Sequence, residues 1–263
     1  MKYSAMRRRA SAGLIVLAVL QWSCSAIDQA LGSVPTTAAS QATLATQASP
    51  ALPSSCENNL FPVKDGATWT FTGQFSKSAY TRVFTVTNVG SNDFQGTMHI
   101  TDGSGNVLID TTDSWQCTTA GLVELAGPLG VTLQSVYGGA AMKTLSTSGV
   151  TIPAQIKAGD TWGQVSDLEF TSAQQTNQAT LTYNFSAFGS EQVTVSAGTF
   201  NAMKVQVHAS TQAVLSGQSV AVTVSGFEWF APGVGHVKSS ETVYALGIPF
   251  AGEEGELQSY KIP

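Results

Sequence analysis

The sequence predicts an all-β fold, in which antiparallel, strongly curved sheets form a sandwich or an open barrel built from two similar meanders. Three observations support this prediction. Apolar residues alternate with polar ones, clusters of turn-forming residues separate the alternating segments, and two short motifs occur twice in the same order. The β domain is predicted to span residues 56–263, a length that all-β units reach as one domain.

The alternation is strictest in residues 180–186, where Leu181, Tyr183 and Phe185 would share one face of a strand. Four further segments show the same period of two: 81–88, 93–101, 203–208 and 220–225. Alternation combined with β-branched and aromatic residues is typical of half-buried antiparallel strands. We therefore expect each strand to have one apolar face and one face toward water.

Turn-forming residues separate these strands at 88–92, 102–106 and 196–198. Residues 102–106 read Asp-Gly-Ser-Gly-Asn, which places oxygen ligands at alternate positions as a calcium loop does. Asp110 and Asp113 are candidates for the later acidic ligand of such a loop. A hairpin turn explains the same residues with fewer assumptions, so we predict a turn and no metal site.

Two motifs repeat along the domain. Residues 64–69 and 157–162 share the pattern Lys-x-Gly-x-Thr-Trp, and residues 115–123 run parallel to 229–237 with Trp, Gly and Val aligned. A duplication with halves 56–150 and 151–263 would explain both matches. It predicts two pairs of equivalent tryptophans: Trp69 with Trp162 at strand starts, and Trp115 with Trp229 before closing turns. The alternative is chance reuse of turn chemistry.

Several of these motifs together resemble a known class of protein. They are the Gly-x-x-Trp segments at 66–69 and 159–162, the Ala-Gly-Thr-Phe-x-Ala-x-Lys-Val segment at 197–205, and Trp-Phe-Ala-Pro-Gly-Val-Gly-x-Val-Lys at 229–238. The chain resembles uncharacterised bacterial cell-envelope lipoproteins with domains of unknown function. The resemblance implies an antiparallel, strongly curved β architecture. It carries no agreed activity, so no functional residue is transferred.

The first 23 residues have the features of a secretory signal peptide. Lys2 and three consecutive arginines at 7–9 form a positive head, and nine apolar residues follow at 12–20. This apolar run is far shorter than the roughly 20 residues that a membrane-spanning helix needs. We therefore predict that residues 1–23 direct export.

Cys24 is predicted to carry a lipid. Residues 20–24 resemble the motif that ends the signal of bacterial lipoproteins, although Gln21 and Trp22 depart from its usual residues. Acylation of Cys24 would bind the protein to a membrane through its mature N-terminus and place it at the cell membrane or outer cell surface. Ordinary cleavage near residues 24–26 is the alternative, and it would release a soluble exported protein.

Residues 24–55 are predicted to form a flexible tether. They are rich in Ala, Ser, Thr, Gln and Pro and contain one charged residue, Asp28. Such a segment buries too little apolar surface to offset chain entropy. As a flexible coil, it would span on the order of 30 Å, enough to lift a domain off a membrane.

The cysteine count supports this organisation. The chain contains three cysteines, at positions 24, 56 and 117. Exported proteins rarely contain a free, unmodified thiol. One acylated cysteine and one disulfide between Cys56 and Cys117 would account for all three.

The charge of the exported part argues against a polyanionic partner. Residues 1–23 contain four of the 12 basic side chains and none of the 17 acidic ones, so the remainder has a formal charge of −9. This balance is unfavourable for nucleic acid and for electrostatic docking on anionic lipid. We predict no nucleic-acid partner.

The search for catalytic residues gives little. The three histidines are far apart in sequence, and no cofactor, nucleotide or metal-protease motif is present. Two groups of carboxylates are candidates for glycoside hydrolysis: Asp167 with Glu169, and Glu253 with Glu254 and Glu256. Without a cleft signature, we expect these carboxylates to be solvated.

The aromatic residues allow three interpretations, of which the third is stacking of a carbohydrate on exposed tryptophans. Trp69, Trp115, Trp162 and Trp229, with phenylalanines such as Phe75 and Phe188, would fill a core. Alternatively, they would line an apolar pocket for a small hydrophobic ligand. We predict an exported, lipid-anchored cell-envelope protein with a non-catalytic binding or structural role, toward such a ligand or an envelope protein. The alternative is a secreted hydrolase acting through Asp167 and Glu169.

Overall fold

The computed structural model describes residues 56–126, 130, 141–171, 176–215 and 218–263. The predicted signal peptide, Cys24 and the predicted tether lie outside these residues. No helix in the described part is long and apolar enough to cross a membrane.

The described residues form one antiparallel sheet of thirteen strands. The strands are β1 (Thr68–Phe75), β2 (Ser78–Thr87), β3 (Asp93–Asp102), β4 (Val107–Thr118), β5 (Gly121–Glu124), β6 (Ala141–Gly149), β7 (Ile152–Pro153), β8 (Thr161–Thr171), β9 (Thr176–Val195), β10 (Gly198–Leu215), β11 (Gln218–Ala231), β12 (Gly235–Ala245) and β13 (Ile248–Lys261). Their spatial order is β6-β8-β9-β10-β11-β12-β13-β1-β2-β3-β4-β5-β7. Two meanders, β1–β5 and β8–β13, are therefore joined where β13 pairs with β1.

The sheet is strongly curled without closing into a barrel. The segment between β6 and β7 contacts strands near both ends of the spatial order: Val150 N donates to Gly163 O of β8, and Thr151 N donates to Leu122 O of β5. No ladder of paired residues joins β5 to β8 among the described residues. The predicted all-β, antiparallel and curved fold is confirmed.

The predicted alternation also holds. Leu181, Tyr183 and Phe185 are all buried on one face of β9. Trp69 and Val205 lie on this same face of the sheet, which we call the inner face. Because the sheet is curled, the inner faces of distant strands approach one another and form the core.

The first repeated motif builds the same loop twice. Before β1, Gly66 N donates to Val86 O and Ala67 N donates to Lys64 O. Before β8, Gly159 N donates to Ala187 O and Asp160 N donates to Lys157 O, so the same two hydrogen bonds recur. Gly66 and Gly159 both adopt positive φ, at 79° and 90°.

The tryptophans of this motif occupy equivalent positions. Trp69 and Trp162 are each the second residue of their strand, and each indole Nε1 donates to a backbone carbonyl, of Val234 and Thr151 respectively. Trp69 is buried, whereas Trp162 is half-buried. The equivalence predicted for this pair is confirmed.

The second repeated motif is only partly equivalent. Trp115 and Trp229 both lie in the fourth strand of their meander, and Gly121 and Gly235 begin the strands that follow. The two rings lie on opposite faces, because Trp115 stacks on Phe94 of the inner face while Trp229 Nε1 donates to the outer Glu191. Both rings are buried, as the core interpretation predicts, but Trp229 packs beneath outer side chains, so the equivalence predicted for this pair holds in position and not in face.

Residues 56–61 cover one end of the curled sheet. The predicted disulfide is present, with the Cα atoms of Cys56 and Cys117 5.2 Å apart. The Asn58 side chain donates to Pro153 O and accepts from the amides that follow it. Phe61 is thereby held between the rings of Trp69 and Trp115, at centroid distances of 5.4 and 5.5 Å.

Candidate functional site: carboxylates on the inner face

Asp167 and Glu169 do not form a cleft. They lie two residues apart on the outer face of β8. Both are half-buried, and their side-chain hydrogen bonds are exposed to solvent. Asp167 accepts hydrogen bonds from Ser146 and Thr180, which lower the pKa of its carboxyl group. The depression beside it, of about 340 Å³, is open to solvent. This pair has no second wall that would hold a substrate between two carboxylates.

The other residues weighed for metal binding are also separated. His99 lies near the exposed Asp110 on the β3–β4 hairpin, His208 is exposed on β10, and His236 is on the inner side of β12. Asp102 accepts hydrogen bonds from the amides of Ser104 and Asn106, so its carboxylate closes the predicted hairpin turn. Among the described residues, no group of three or more ligating side chains is arranged to hold a metal ion.

A different set of carboxylates lies together on the inner face. Glu228, Glu241 and Glu253 belong to the adjacent strands β11, β12 and β13, and we call these three residues the inner acidic cluster. The expectation that Glu253 is solvated with its neighbours is wrong, because Glu254 and Glu256 point outward while Glu253 does not.

The strand register explains this placement. Glu241 pairs directly with Glu253, and Gly226, two residues before Glu228, pairs directly with Glu241. Glu228 also pairs with the fully buried Val205 of β10. Side chains directly opposite across antiparallel strands have Cβ atoms about 5 Å apart, and diagonal neighbours are about 7 Å apart. The three carboxylates therefore share one small area of the sheet.

Arg82 and Tyr80 of β2 contact the edge of this cluster. An Arg82 guanidinium nitrogen is 3.7 Å from Glu253 Oε1, and Tyr80 Oη donates to the same oxygen at 2.7 Å. The guanidinium also lies over the Phe71 ring, 4.6 Å from its centroid. Arg82 is the only arginine in residues 24–263. The single guanidinium near the cluster is thus already engaged by one carboxylate.

Two glycines make this arrangement sterically possible. A Cβ atom on Gly255 would lie 2.6 Å from Tyr80 Oη and 2.7 Å from Ser239 Oγ, and a Cβ on Gly73 would lie 2.9 Å from Tyr80 Oη. The Tyr80 phenol therefore crosses the bare backbone of β1 and β13 to reach Glu253. Ser239 is only 3% exposed, and its hydroxyl has no hydrogen-bond partner in the structure.

Two more acidic residues approach from the other meander. Asp113 of β4 and Glu124 of β5 are buried, and neither carboxylate oxygen of Asp113 has a hydrogen-bond partner in the structure. The charge of Glu228 acts on Glu124, although β5 and β11 are far apart in the strand order. The curled sheet thus brings carboxylates of both meanders toward a common interior.

Burial changes the protonation of these groups. Desolvation raises the pKa of Glu228 to about 7, partly offset by Arg82. Desolvation, and then the charges of Glu228 and Glu253, raise the pKa of Glu241 well above its ordinary value. Desolvation also raises the pKa of Asp113 to about 6. The pKa values rise because the ionised carboxylates lose their hydration on burial. The attraction of the nearby Arg82 guanidinium does not compensate for this loss.

His236 lies beside the cluster between two rings. Its imidazole centroid is 5.2 Å from that of Phe71 and 5.4 Å from that of Phe230, and its Nε2 has no hydrogen-bond partner in the structure. Burial, followed by the charge of Arg82, lowers its pKa to about 3. His236 is therefore neutral at physiological pH and does not balance the carboxylates.

Sequence comparison places this architecture among known proteins. The model of the DUF3108-like family matches residues 69–244, which include most of both meanders. A search of curated proteins finds no match.

Two crystal structures are similar in fold. One is a protein of Bacteroides fragilis NCTC 9343, assigned as exported and as having a YmcC-like fold. It has a TM-score of 0.52 and 17% sequence identity to this chain, and the match covers 77% of this chain and 98% of the Bacteroides chain. The other, from Parabacteroides distasonis ATCC 8503 and assigned as a lipoprotein, has a TM-score of 0.51 and 17% identity, over 78% of this chain and 99% of its own. At these identities, the likeness establishes a shared fold alone.

Proposed function

The chain belongs to the DUF3108-like family, and we propose that it is an exported cell-envelope protein with a non-catalytic binding role, attached to a membrane through a lipid on Cys24. The observation that carries the binding role is the inner acidic cluster. Three carboxylates on adjacent strands, with a guanidinium paired to only one of them, destabilise the sheet that contains them. Local arrangements that oppose folding are expected at functional sites.

The cluster is also reachable from solvent. The side chains of Arg82 and Glu253 are 21% and 22% exposed, and those of Glu228 and Glu241 are half-buried. A partly exposed polar patch with buried surroundings has the features of a ligand site.

Attachment to a membrane rests on the N-terminal sequence. A positive head, an apolar run of nine residues and a cysteine at position 24 are consistent with a lipoprotein signal. The fold neighbours are assigned as an exported protein and a lipoprotein, which supports export of this chain. Residues 25–55, which separate Cys24 from Cys56, are the tether of this proposal on account of their composition.

The anchor is tested by Cys24→Ala in the native host. Loss of the acylated thiol should move the full-length protein from the membrane fraction to the soluble exported fraction, whereas the control Ser25→Ala should stay with the membrane. Fractionation followed by immunoblotting measures the distribution. Unchanged membrane partitioning of Cys24→Ala would refute the lipid anchor.

A secreted hydrolase remains the second candidate, with different residues from those predicted. The observation in its favour is that the inner face holds Glu228, with a pKa raised to about 7, near the arginine-paired Glu253. Glycosidases use two carboxylates in different protonation states. Turnover of 4-nitrophenyl glycosides by the wild type that disappears in Glu228→Gln would favour hydrolysis. Absence of turnover would favour the binding role.

A further inference from the structure

The charge balance of the inner face determines which ligands it can accept. Five carboxylates approach the interior, and they belong to Asp113, Glu124, Glu228, Glu241 and Glu253. Arg82 is the one basic side chain that acts on these groups in the described residues. An anionic ligand would meet net repulsion, whereas a cationic ligand would supply the missing positive charge.

An unpartnered hydroxyl shows independently that a polar partner is missing. Ser239 lies between Glu228 and Gly255 in the register of the sheet, and it is 3% exposed with its Oγ unpaired. A buried hydroxyl without a hydrogen bond is unfavourable, because it has lost its hydrogen bonds to water. The Oγ points into the same region above Gly255 as Tyr80 Oη and Glu253 Oε1.

The chemistry of these groups favours an organic cation over a metal ion. No set of three or more ligating side chains among the described residues could hold a metal ion. A primary ammonium carries three N–H donors, which suit separate oxygens such as Ser239 Oγ and the carboxylates of Glu241 and Glu253. The rings of Phe71 and Tyr80 line the same area and are compatible with a cation.

We propose that the inner face binds a small organic cation bearing a primary ammonium group, held by the carboxylates of the inner acidic cluster and by the hydroxyl of Ser239. This proposal rests on the proposed binding function and specifies its ligand class. It replaces the small hydrophobic ligand expected from the aromatic residues, because carboxylates interrupt the apolar surface at this level of the sheet.

The test uses the full-length protein with 1,4-diaminobutane as the probe. Its neutral counterpart of equal length, 1,4-butanediol, serves as the ligand control, and sodium chloride keeps the ionic strength constant. Thermal unfolding and calorimetric titration measure binding. We expect a saturable rise in the unfolding temperature with the diamine and no such rise with the diol.

Three variants identify the contacts. Glu241→Gln and Ser239→Ala should each fold at least as stably as the wild type, because one replaces a desolvated carboxyl group with a neutral amide and the other removes an unpaired buried hydroxyl. We expect Glu241→Gln to weaken the affinity for the diamine at least about tenfold, the effect of losing one charged hydrogen bond. Glu254→Gln, on the same strand but the outer face, should leave the affinity unchanged.

The outcomes separate this proposal from the binding function itself. No saturable effect of the diamine, or an equal affinity in Glu241→Gln, would overturn the cation proposal. An equal response to the diol that Ser239→Ala abolishes would also overturn it, while leaving a binding role for the inner face intact. The proposed function has its own tests, in the Cys24→Ala fractionation and in the mass of the protein isolated from its host.

Discussion

At the scale of single residues, the inner carboxylates occupy positions where apolar residues are expected. Glu253 is flanked at i−2 and i+4 by the buried Ala251 and Leu257, and Glu228 by Val224 and Phe230 at i−4 and i+2. A carboxylate in such surroundings loses water without gaining an equivalent partner. The protein therefore binds protons on the inner face more tightly when folded than when unfolded.

This protonation makes stability depend on pH. Asp113 and Glu228 have ordinary pKa values of 3.8 and 4.5, and folding raises these to about 6 and about 7. A raised pKa contributes stability that is fully present below the ordinary value and is lost as the pH rises through the folded value. We expect the free energy of unfolding to fall between pH 4 and pH 7 on account of these two groups.

Asp113→Asn tests this dependence. Because Asp113 is buried and unpaired, the neutral amide should raise the free energy of unfolding at pH 8 by up to about 3 kcal/mol, with a smaller effect near pH 4. Urea unfolding at both pH values measures the difference. Asp167→Asn is the control, because hydrogen bonds lower the pKa of that exposed carboxyl, and it should not stabilise at pH 8. An equal effect of Asp113→Asn at both pH values would contradict the protonation argument.

The positions of Glu228 and Glu253 on the inner face follow from the period of two in their strands, although no sequence motif marks them. Extending the alternation of Val220, Val222 and Val224 along the strand places Glu228 on the apolar face. The same extension back from Leu257 does so for Glu253. Arg82 pairs with Glu253 and its charge acts on Glu228, although both are more than 140 residues away along the chain. This proximity depends on β13 joining β1, which no local pattern encodes.

At the scale of elements, the segment before β1, residues 56–61, is part of the core. Phe61 is 8% exposed and contacts four aromatic rings: Trp69, Phe84, Phe94 and Trp115. The disulfide and the Asn58 hydrogen bonds position it. This packing joins the inner faces of β1–β4 at one end of the sheet.

Phe61→Ala should therefore behave as a core truncation. We expect a loss of about 3–5 kcal/mol in the free energy of unfolding, because the surrounding rings cannot collapse into the space. Phe188→Ala is the matched control: Phe188 is 60% exposed, so its removal should change stability by less than about 1 kcal/mol. Guanidinium unfolding measures both variants. Similar losses for the two would show that Phe61 is not part of the core.

Strands and turns were the most predictable elements. All five alternating segments lie in strands, apart from the last residue of 81–88, because a period of two is a local property. The exposure of Phe75 and Phe188 was not predictable. A phenylalanine in a strand is expected in the core unless it is known which face of the sheet the ring is on. The inward position of Phe61 could not be derived either, because it depends on contacts with rings of four different strands, β1 to β4.

At the scale of the whole molecule, the two meanders begin alike and diverge later. The loops before β1 and β8 have the same hydrogen bonds and the same positive-φ glycine. The tryptophans near the closing turns face opposite sides. The first repeated motif therefore has the same structure in both meanders. The second keeps the closing turn, but its tryptophan lies on the inner face in one meander and on the outer face in the other.

Matched glycine substitutions test this equivalence. Gly66→Ala and Gly159→Ala each force an L side chain into positive φ, with no atom closer than 4.0 Å to the new methyl group. Each should lower the free energy of unfolding by about 1–2 kcal/mol, and the two losses should agree closely. Gly252→Ala, exposed and without positive φ, should change little. A loss confined to one of the two loops would contradict equivalent roles.

The most direct test of the account is native mass spectrometry of the full-length protein isolated from the membranes of its own host. The account predicts a mature chain that begins with an acylated Cys24, retains the Cys56–Cys117 disulfide and carries a bound molecule. That molecule should be depleted in Glu241→Gln and retained in Glu254→Gln. A chain cleaved without acylation, or a ligand retained equally by both variants, would contradict the proposal of a lipid-anchored protein that binds its ligand on the inner face.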